Sequence, residues 1–390
     1  MIRPLIEHPS EEKTRGEVPA LNQLAVRGLV SMFDPTRKLF CNRLVRNQNR
    51  MVREGHSERY TLISILGLQR AQDTPETRQI RAQDLLVTLA SDTRWLGNLG
   101  DLGLLLWAAA EAGEKFSSRI CSAFDLGGAL RRFREARQGR TTELAWFLSG
   151  LAHLRSVDPD RVSLREVALE TYALLKQNQG ESGLFSHLAE RKSLGGLVRG
   201  RVGTFADQVY PIYALSKFSQ SFGVPKAAER ALDCALTLCE LQGPLGQWWW
   251  HYDSVTGKVV ARYPVYSVHQ DGMAPLALFA LGEAVQSDFR PWICKGLRWV
   301  FGDNELEEDM RDDSSNLIWR AIYRTDSLRH VDSVLEVLSM REDVRPRKEL
   351  ARLFECRPYH LGWLLYAWAS QATRNGCESP GPLEGRSAHA

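Results

Sequence analysis

The sequence predicts an all-α chain folded as an (α/α)6 toroid, with a short β-hairpin in a loop near 248–266. Apolar residues recur at three- and four-residue intervals through most of the chain, which is typical of helices. Gly, Pro or Asn interrupts this pattern roughly every twenty residues, as helix ends do. One motif also occurs twice, 63 residues apart. A helical pattern with an internal repeat indicates hairpins stacked side by side.

The repeated motif is Q-G-x-x-G-x-aromatic, at 179–185 and 242–248. Each copy follows one predicted helix and precedes another. The following helices begin alike, because Asp207 and Asp271 each stand four residues before a proline, an offset of 64. Proline is tolerated in the first turn of a helix, where the backbone amides have no partner within the helix. Both aspartates are therefore predicted at helix N-termini.

Two kinds of helix alternate along the chain. Helices that are apolar on nearly all sides are predicted to be inner, and striped helices to be outer. The predicted inner helices begin near residues 60, 101, 143, 207, 271 and 316, and the outer helices cover 77–91, 122–137, 163–178, 225–241 and 289–301. A further apolar run begins at His360, so a seven-fold barrel or a capping helix stays open. Gly257 marks the turn of the predicted hairpin.

No Pro/Gly/Ser-rich linker divides the 390 residues into two cores. We therefore expect one toroid domain over 1–373, with a helical lead-in over 1–54. The segment 374–390 is rich in Gly, Pro and Ser and is predicted to be a disordered tail.

Bulk properties exclude several classes of partner. The net charge of +3 is spread along the chain, which does not favour nucleic-acid binding. No apolar run approaches the ~20 residues of a membrane span. The seven cysteines are odd in number and form no metal-binding motif, which predicts a reducing, cytoplasmic location.

Acidic residues at the starts of the inner helices are the candidate catalytic groups. If all inner helices run the same way, their N-terminal ends meet at one rim. Each carboxylate there is either a helix cap or a catalytic group. Asp207 and Asp271 are the preferred acid/base pair, because aromatic residues and histidines precede Asp271. The full candidate set is Asp101, Glu143, Asp207 and Asp271.

The loop before Asp271 is unusually rich in aromatic residues. Aromatic rings stack on sugar or hydrocarbon faces and stabilise cations, although they can equally pack the hairpin onto the toroid. Histidines add proton transfer or hydrogen bonding, and an arginine can meet an anionic group or form an ion pair. The predicted substrate-binding residues are Trp248, Trp249, Trp250, His251, Tyr252, Tyr263, Tyr266, His269, Gln270 and Arg320.

Cofactor and metal motifs are missing from the sequence. There is no H-E-x-x-H motif, no Cys/His spacing for zinc, no phosphate-binding glycine loop and no G-x-S-x-G. The acidic run over 305–313 is interpreted as a solvated loop. We therefore predict no cofactor and no metal.

The Q-G-x-x-G-x-aromatic repeats and Asp-led helices resemble the α/α-toroid superfamilies over roughly 55 to 330. These are the six-hairpin glycosidases, with related sugar epimerases and lyases, and the terpenoid cyclases with protein prenyltransferases. The resemblance to cyclases implies that the repeat ties outer helices together. The chain lacks their D-x-D-D acid and the D-D-x-x-D metal motif.

The leading hypothesis is a carbohydrate-active enzyme of the hydrolase, lyase or epimerase type, acting on a glycan or oligosaccharide. A cyclase or prenyl-handling enzyme is the alternative, with the aromatic residues stabilising carbocations and Asp271 donating a proton. A non-catalytic binding toroid is the third, and it predicts rim carboxylates that are exposed or locked in salt bridges. Fold alone does not decide among these, and the oligomeric state stays open.

Overall fold

A computed structural model describes residues 17–48, 50–71, 73–135, 140–188, 200–325 and 349–372. Within them, helices with buried residues on nearly all sides form an inner layer. A π-helix, His269–Met273, opens the fifth of these. In chain order the inner helices are Glu58–Arg70, Leu99–Glu111, Thr141–Val157, Ala206–Phe222, Ala274–Val285 and Pro358–Ala372.

Striped helices form the outer layer. The first comes from the N-terminal lead-in and packs against the last inner helix. The outer helices are Val18–Met32, Pro75–Ile80 continued by Ala82–Ser91, Glu114–Ala123 continued by Leu126–Glu135, Ser163–Lys176, Pro225–Glu240 and Arg290–Val300. The predicted (α/α)6 toroid is confirmed. None of the described helices is long and apolar enough to cross a membrane.

The ring closes where the sixth inner helix meets the first. A Cβ added to Gly67 would lie 2.3 Å from the Gly362 carbonyl oxygen, so the two backbones are in direct contact. Any side chain there would force the helices apart. Glycine at both positions therefore permits closure without an unpartnered apolar face.

The predicted inner helix near 316 is wrong. Residues Leu317–Ile318 and Ala321–Arg324 are strands, and the second pairs with Leu350–Leu353 and Val265–Tyr266. A short apolar run is buried equally well as a strand, so its periodicity could not separate the two. The run at His360 supplies the sixth inner helix, and the described residues form no seventh hairpin.

The predicted helical lead-in also needs correction. Of its described part, Val18–Met32 is helical, but the following residues form short strands. Arg43–Asn47 pairs with Arg50–Glu54 and with Glu355–Cys356. The strand Glu355–Cys356 comes after the region near 316 in which the sequence predicts a helix. The segment 374–390 lies outside the described residues.

The predicted hairpin is present. Strands His251–Asp253 and Lys258–Ala261 turn at Gly257, whose φ is +65°, and Val202–Thr204 adds a third strand. This sheet precedes the fourth and fifth inner helices and stands over their N-terminal ends.

The two copies of the repeat make the same contacts. Gln179 donates to the Gly183 carbonyl at 2.8 Å and to the Arg230 carbonyl at 2.9 Å. Gln242 donates to the Gly246 carbonyl at 3.1 Å and to the Trp292 carbonyl at 2.9 Å. In each copy one amide closes the loop and ties it to the next outer helix, as the resemblance implied.

The second glycine of each motif touches that outer helix. At Gly246, with φ +91°, an added Cβ would lie 2.2 Å from the Lys295 carbonyl oxygen. Gly223 has a similar φ of +66° with open space around it. We expect Gly246→Ala to lower the free energy of unfolding by about 3–5 kcal/mol, and Gly223→Ala by about 1–2 kcal/mol. Urea unfolding of both variants checks this, and equal losses would contradict the close contact.

A buried polar network links five of the inner helices, away from their N-terminal ends. Tyr366 donates to Glu111 at 2.6 Å, Tyr213 lies 3.2 Å from Tyr366, and His153 lies 2.8 Å from Tyr213. Arg70 pairs with Glu111 at 2.6 Å. Burial lowers the pKa of His153 to about 3. Polar contacts thus fix this end of the toroid, opposite the predicted site.

Candidate active site

The inner helices begin at one face, which we call the N-terminal rim (the helix starts at 58, 99, 141, 206, 269 and 358). Contacts between first turns of neighbouring helices show this. Arg59 binds Asp101, Thr142 binds Asp207, and the Tyr60 and Tyr359 rings lie 4.7 Å apart. The predicted convergence of the inner-helix starts at one rim is therefore present.

Asp101 is held by an arginine. Its two oxygens accept from Arg59 Nε and Nη2 at 2.5 and 3.0 Å, and one also accepts from the Gly97 amide at 3.1 Å. Asn98 caps the helix by accepting from the Asp101 amide. A bidentate pair fixes the guanidinium in one orientation, so Asp101 acts here as an anchor for Arg59.

Asp207 is fully buried and saturated with donors. Its carboxylate accepts from Thr142 Oγ1, from the Thr204 amide and from Thr204 Oγ1, each at 2.9 Å. The Asp207 amide donates back to Thr204 Oγ1 at 3.3 Å, which completes a capping box. The fourth contact is His187 Nδ1 at 3.0 Å. Asp207 is thus both a helix cap and the partner of a histidine.

That histidine, His187, was not among the predicted residues. Its side chain is 31% exposed, whereas Asp207 beneath it has no exposed surface. When the Asp207 carboxylate accepts from Nδ1–H, Nε2 is the acceptor nitrogen of the His187 ring. The repeat offered a signal. His187 lies two residues after Phe185, the aromatic residue of the first copy, just as Trp250 lies two residues after Trp248 in the second copy.

Glu143 also lies at the N-terminal rim, one residue after Thr142, which binds Asp207. The charged groups that act on its carboxyl are Arg140, Arg59 and Asp101. Its contact with Arg140 is long, at 3.4 Å. Burial raises the pKa of Glu143, against the opposing effect of Arg140 and Arg59. Among the four predicted carboxylates it is the least tightly held.

Asp271 is not the counterpart of Asp207. Gln208 Oε1 accepts from the Phe185 amide at 2.7 Å, and Gln270 Oε1 accepts from the Trp248 amide at 3.3 Å. These glutamines are 62 residues apart, so His269 occupies the position of Asp207. The offset of 64 fails in this turn, where the π-helix changes the register.

Asp271 therefore points into the protein. Its side chain is fully buried, and both oxygens lie 2.8 Å from His360 Nε2. Burial raises the pKa of Asp271, and the neighbouring His360 opposes this. Without an exposed atom, Asp271 does not present its carboxylate at the rim surface.

The tryptophan triplet divides between the interior and the rim. Trp248 has no exposed surface and packs against Gly296 of an outer helix. Trp249 donates to the Leu241 carbonyl at 2.9 Å, and its amide donates to the Tyr252 hydroxyl at 2.8 Å. Trp248, Trp249 and Tyr252, all predicted to bind substrate, instead fill the core beneath the hairpin. They agree with the alternative that the aromatic residues pack the hairpin onto the toroid.

Tyr263 and Gln270 also have structural contacts. Tyr263 donates to Glu305 at 3.1 Å, and Glu305 accepts from Trp299 of an outer helix at 2.7 Å. Gln270 is buried and donates to the Tyr266 carbonyl at 3.2 Å. Glu305, placed by the sequence in a solvated loop, is in fact bonded to the core.

The half-buried aromatic wall of the rim centres on Trp250. Its ring lies 4.9 Å from Tyr266, 4.8 Å from His251 and 6.1 Å from His269, parallel to the last. Burial lowers the pKa of His251 to about 4 and of His269 to about 3, so both are neutral at pH 7. Arg320 lies over Tyr266 at 5.1 Å.

Arginines surround one glutamate beside this wall. Glu355 accepts from Arg320 at 2.5 Å, from Arg357 at 2.6 Å and from Arg43 at 3.1 Å. Arg357 also donates to the Tyr60 hydroxyl at 3.0 Å. The predicted Arg320 is thus ion-paired, but one carboxylate shared by several guanidiniums leaves positive charge at the rim.

Three buried nitrogens at the rim have no hydrogen-bond partner among the described residues: Trp146 Nε1, His251 Nδ1 and His269 Nδ1. Trp146 stands one turn after Glu143 and lies 5.0 Å from Tyr210. Buried polar atoms are normally paired, so an unpaired group at a surface indicates a place where a bound molecule donates or accepts. The described residues contain no group of His, Cys, Asp or Glu arranged to hold a metal ion.

Comparison with known proteins gives the fold. No protein-family model matches the chain, and no curated protein matches its sequence. Solved structures do match. A possible member of the GH105 family from Salmonella enterica subsp. enterica serovar Paratyphi A superposes with a TM-score of 0.60 at 13% identity, covering 96% of this chain and 100% of that chain.

Two further structures match equally well. The unsaturated glucuronyl hydrolase from Bacillus sp. GL1, responsible for the degradation of glycosaminoglycan, has a TM-score of 0.58 at 14% identity over 94% of this chain and 97% of its own. A sugar epimerase from a ruminal bacterium has a TM-score of 0.59 at 8% identity over 91% and 98%.

The chain is an α/α toroid of the six-hairpin type. At these identities the likeness is one of fold. The toroid proteins cited are glycosidases or act on sugars, and none of those cited is a terpenoid cyclase.

Proposed function

We propose that this toroid is a carbohydrate-active enzyme that acts on an acidic oligosaccharide at the N-terminal rim, with Glu143 as the general acid. The observation that carries the proposal is a buried carboxyl with a raised pKa, which has only a long contact to Arg140 at 3.4 Å and follows directly on the Thr142 that binds Asp207. Catalytic acids are tuned upward by burial so that they hold a proton near neutral pH. Asp101, Asp207 and Asp271 are already committed to other partners.

The His187–Asp207 pair, which Thr142 joins to the first turn of the helix that carries Glu143, supplies the complementary base. Asp207 fixes the ring of His187 with Nδ1–H bonded, so Nε2 can take a proton from water. In hydrolysis that water attacks the anomeric carbon, and the bond to the leaving oxygen breaks. Glu143 gives its proton to that oxygen, and His187 receives the proton of the water. Protons and charges balance in this step.

The rim also carries the means to hold a sugar. The Trp250 and Tyr266 rings offer faces for stacking on a pyranose, and the unpaired nitrogens of Trp146 and His269 can bond its hydroxyls. Positive charge from Arg320 and Arg357 favours a carboxylate on the sugar. The names of the similar structures, unsaturated glucuronyl hydrolases among them, agree with a uronic acid.

Of the alternatives, the non-catalytic toroid has one observation in its favour. It predicts locked rim carboxylates, and three of the four are locked. The enzymatic proposal therefore depends on Glu143. A cyclase with Asp271 as the proton donor is disfavoured, because that carboxyl is buried and bonded to His360. We also propose a reducing, cytoplasmic location, since five buried cysteines form no disulfide: Cys41, Cys121, Cys234, Cys239 and Cys356.

The test is a panel of glucuronyl-terminated oligosaccharides set against neutral oligosaccharides of equal length. We expect the acidic members to bind and to be converted, and mass spectrometry of the products identifies hydrolysis, elimination or isomerisation. Binding without conversion, unchanged in Glu143→Gln, would favour the non-catalytic toroid. If the protein bound and converted acidic and neutral oligosaccharides equally well, the arginines would not select for a carboxylate on the sugar.

A further inference from the structure

We propose that Asp271 and His360 form a positioning pair, which holds Tyr359 and Arg357 in place at the rim. The inference rests on the proposed function for its kinetic consequence. Its structural part, the placement of Tyr359 against Tyr60, stands independently. Neither residue of the pair touches a sugar in this account.

The first step is the bond itself. His360 Nε2 lies 2.8 Å from both Asp271 oxygens, and both side chains are buried. His360 is in the first turn of the sixth inner helix, and Asp271 is in the π-helix that opens the fifth. The pair therefore joins neighbouring inner helices where each begins.

The π-helix explains why Asp271 faces its neighbour. The Ala274 amide donates to the carbonyl of His269, five residues back, so this turn is wider than an α-turn. His269 stays at the rim, where its ring lies 4.4 Å from that of Phe205. Two residues later, Asp271 is directed at the sixth helix. The same π-helical turn therefore places His269 at the rim and Asp271 against the sixth inner helix.

Two further contacts hold the sixth inner helix against the π-helix around Asp271. Trp368 Nε1 donates to the Asp271 carbonyl at 2.6 Å, two turns beyond His360. A Cβ on Gly272 would lie 3.2 Å from the Leu364 amide, so the backbones nearly touch. Two hydrogen bonds eight residues apart set both the height and the rotation of this helix. Apolar packing alone would leave that rotation less defined.

The rim residues depend on that rotation. Tyr359 directly precedes His360, and its ring lies 4.7 Å from Tyr60. Arg357 donates to the Tyr60 hydroxyl at 3.0 Å and to Glu355 at 2.6 Å. A turn of the helix that loses the His360 bond moves Tyr359 and Arg357 together. It thereby shifts the cationic side of the proposed sugar site.

The experiment compares Asp271→Ala and the isosteric Asp271→Asn. We expect kcat/KM for a glucuronyl-terminated disaccharide to fall about 10²-fold in Asp271→Ala, the size of a misplacement effect. The Asn variant keeps one acceptor for His360 and should retain activity within about tenfold of wild type. Glu111→Ala is the matched control, since it removes a buried inner-helix carboxylate at the opposite end and should leave the rim unmoved.

A double-mutant cycle with Tyr359→Ala tests the route of the effect. If Asp271 acts through Tyr359, the double variant loses little more than Tyr359→Ala alone, whereas independent effects add. The cycle is run with Asp271→Asn if Asp271→Ala does not fold. Additive losses in the cycle would overturn the proposal.

Crystal structures of the variants read the placement without any substrate. Tyr359 is expected to leave its contact with Tyr60 in Asp271→Ala and to keep it in Asp271→Asn. An unmoved Tyr359 in Asp271→Ala would overturn the positioning pair, whatever the activity. If Glu143→Gln turns over substrate normally, the proposed function fails, and the crystallographic result still decides the pair.

Discussion

Replacing Glu143 by glutamine is expected to lower kcat about 10²–10⁴-fold on the acidic oligosaccharide, because the variant has no proton to give to the leaving oxygen. The amide keeps the shape of the side chain and can still contact Arg140. Folding should therefore survive. Saturation kinetics with purified wild type and variant measure the loss.

The same variant should not lose stability at pH 7. Burial raises the folded-state pKa of Glu143 above its ordinary value of 4.5, so the folded state binds the proton more tightly than the unfolded state does. The stability of the wild type therefore falls as the pH rises from the ordinary pKa of 4.5 towards the raised pKa of the folded state. Glutamine carries no charge, so the variant does not lose this stability. We expect the Tm of Glu143→Gln to equal or exceed that of wild type at pH 7, with the difference vanishing near pH 4.

Glu166→Gln is the control for that prediction. Glu166 is an exposed glutamate in the first turn of an outer helix, so it shares the position within a helix and lacks the burial. Its replacement should leave kcat unchanged. Full activity of Glu143→Gln would remove the general-acid role of Glu143.

Removal of the Asp207 side chain should have the largest effect on stability. In Asp207→Ala the buried Thr142 hydroxyl, the Thr204 amide and the Thr204 hydroxyl all lose their acceptor. Unpaired buried donors and a broken buried pair cost about 3–5 kcal/mol. Activity should fall as well, because His187 loses the group that fixes its tautomer. Urea unfolding and kinetics on the same preparation measure both.

Asp288→Ala is the matched control for Asp207. Asp288 also bonds the backbone at the start of a helix, through the Arg290 amide at 2.9 Å, but its side chain is half exposed. The loss of such a cap costs about 1 kcal/mol. A similar small loss in Asp207→Ala would show that water replaces its buried contacts, and would contradict the described geometry.

The sequence was most informative where local pattern and packing agree. Five of the inner helices, the hairpin at Gly257 and both copies of the repeat are where the spacing of apolar residues, glycines and prolines placed them. Such features depend on neighbours along the chain, which a single sequence displays. The segment at 316 failed because a six-residue apolar run satisfies burial as either strand or helix.

The site was less predictable because its contacts join distant segments. Asp207 and Asp271 appear equivalent in sequence, yet one bonds His187 and the other His360. A change of register within one π-helical turn decides between them, and no spacing reveals it. The tryptophan triplet likewise divides, because Trp248 lies in the core against Gly296 of an outer helix, whereas Trp250 lies beside Tyr266 and His269 at the rim.

The sequence by itself determined the helical class, the repeat and the acidic residues at the starts of the inner helices. Periodicity and first-turn chemistry are local, so they are legible without a fold. Only the tertiary structure decided which carboxyl remains available, because the partners of Asp101, Asp207 and Asp271 come from other helices. Burial and the lack of a close partner at Glu143 are properties of the closed toroid, and they single out this residue at the rim.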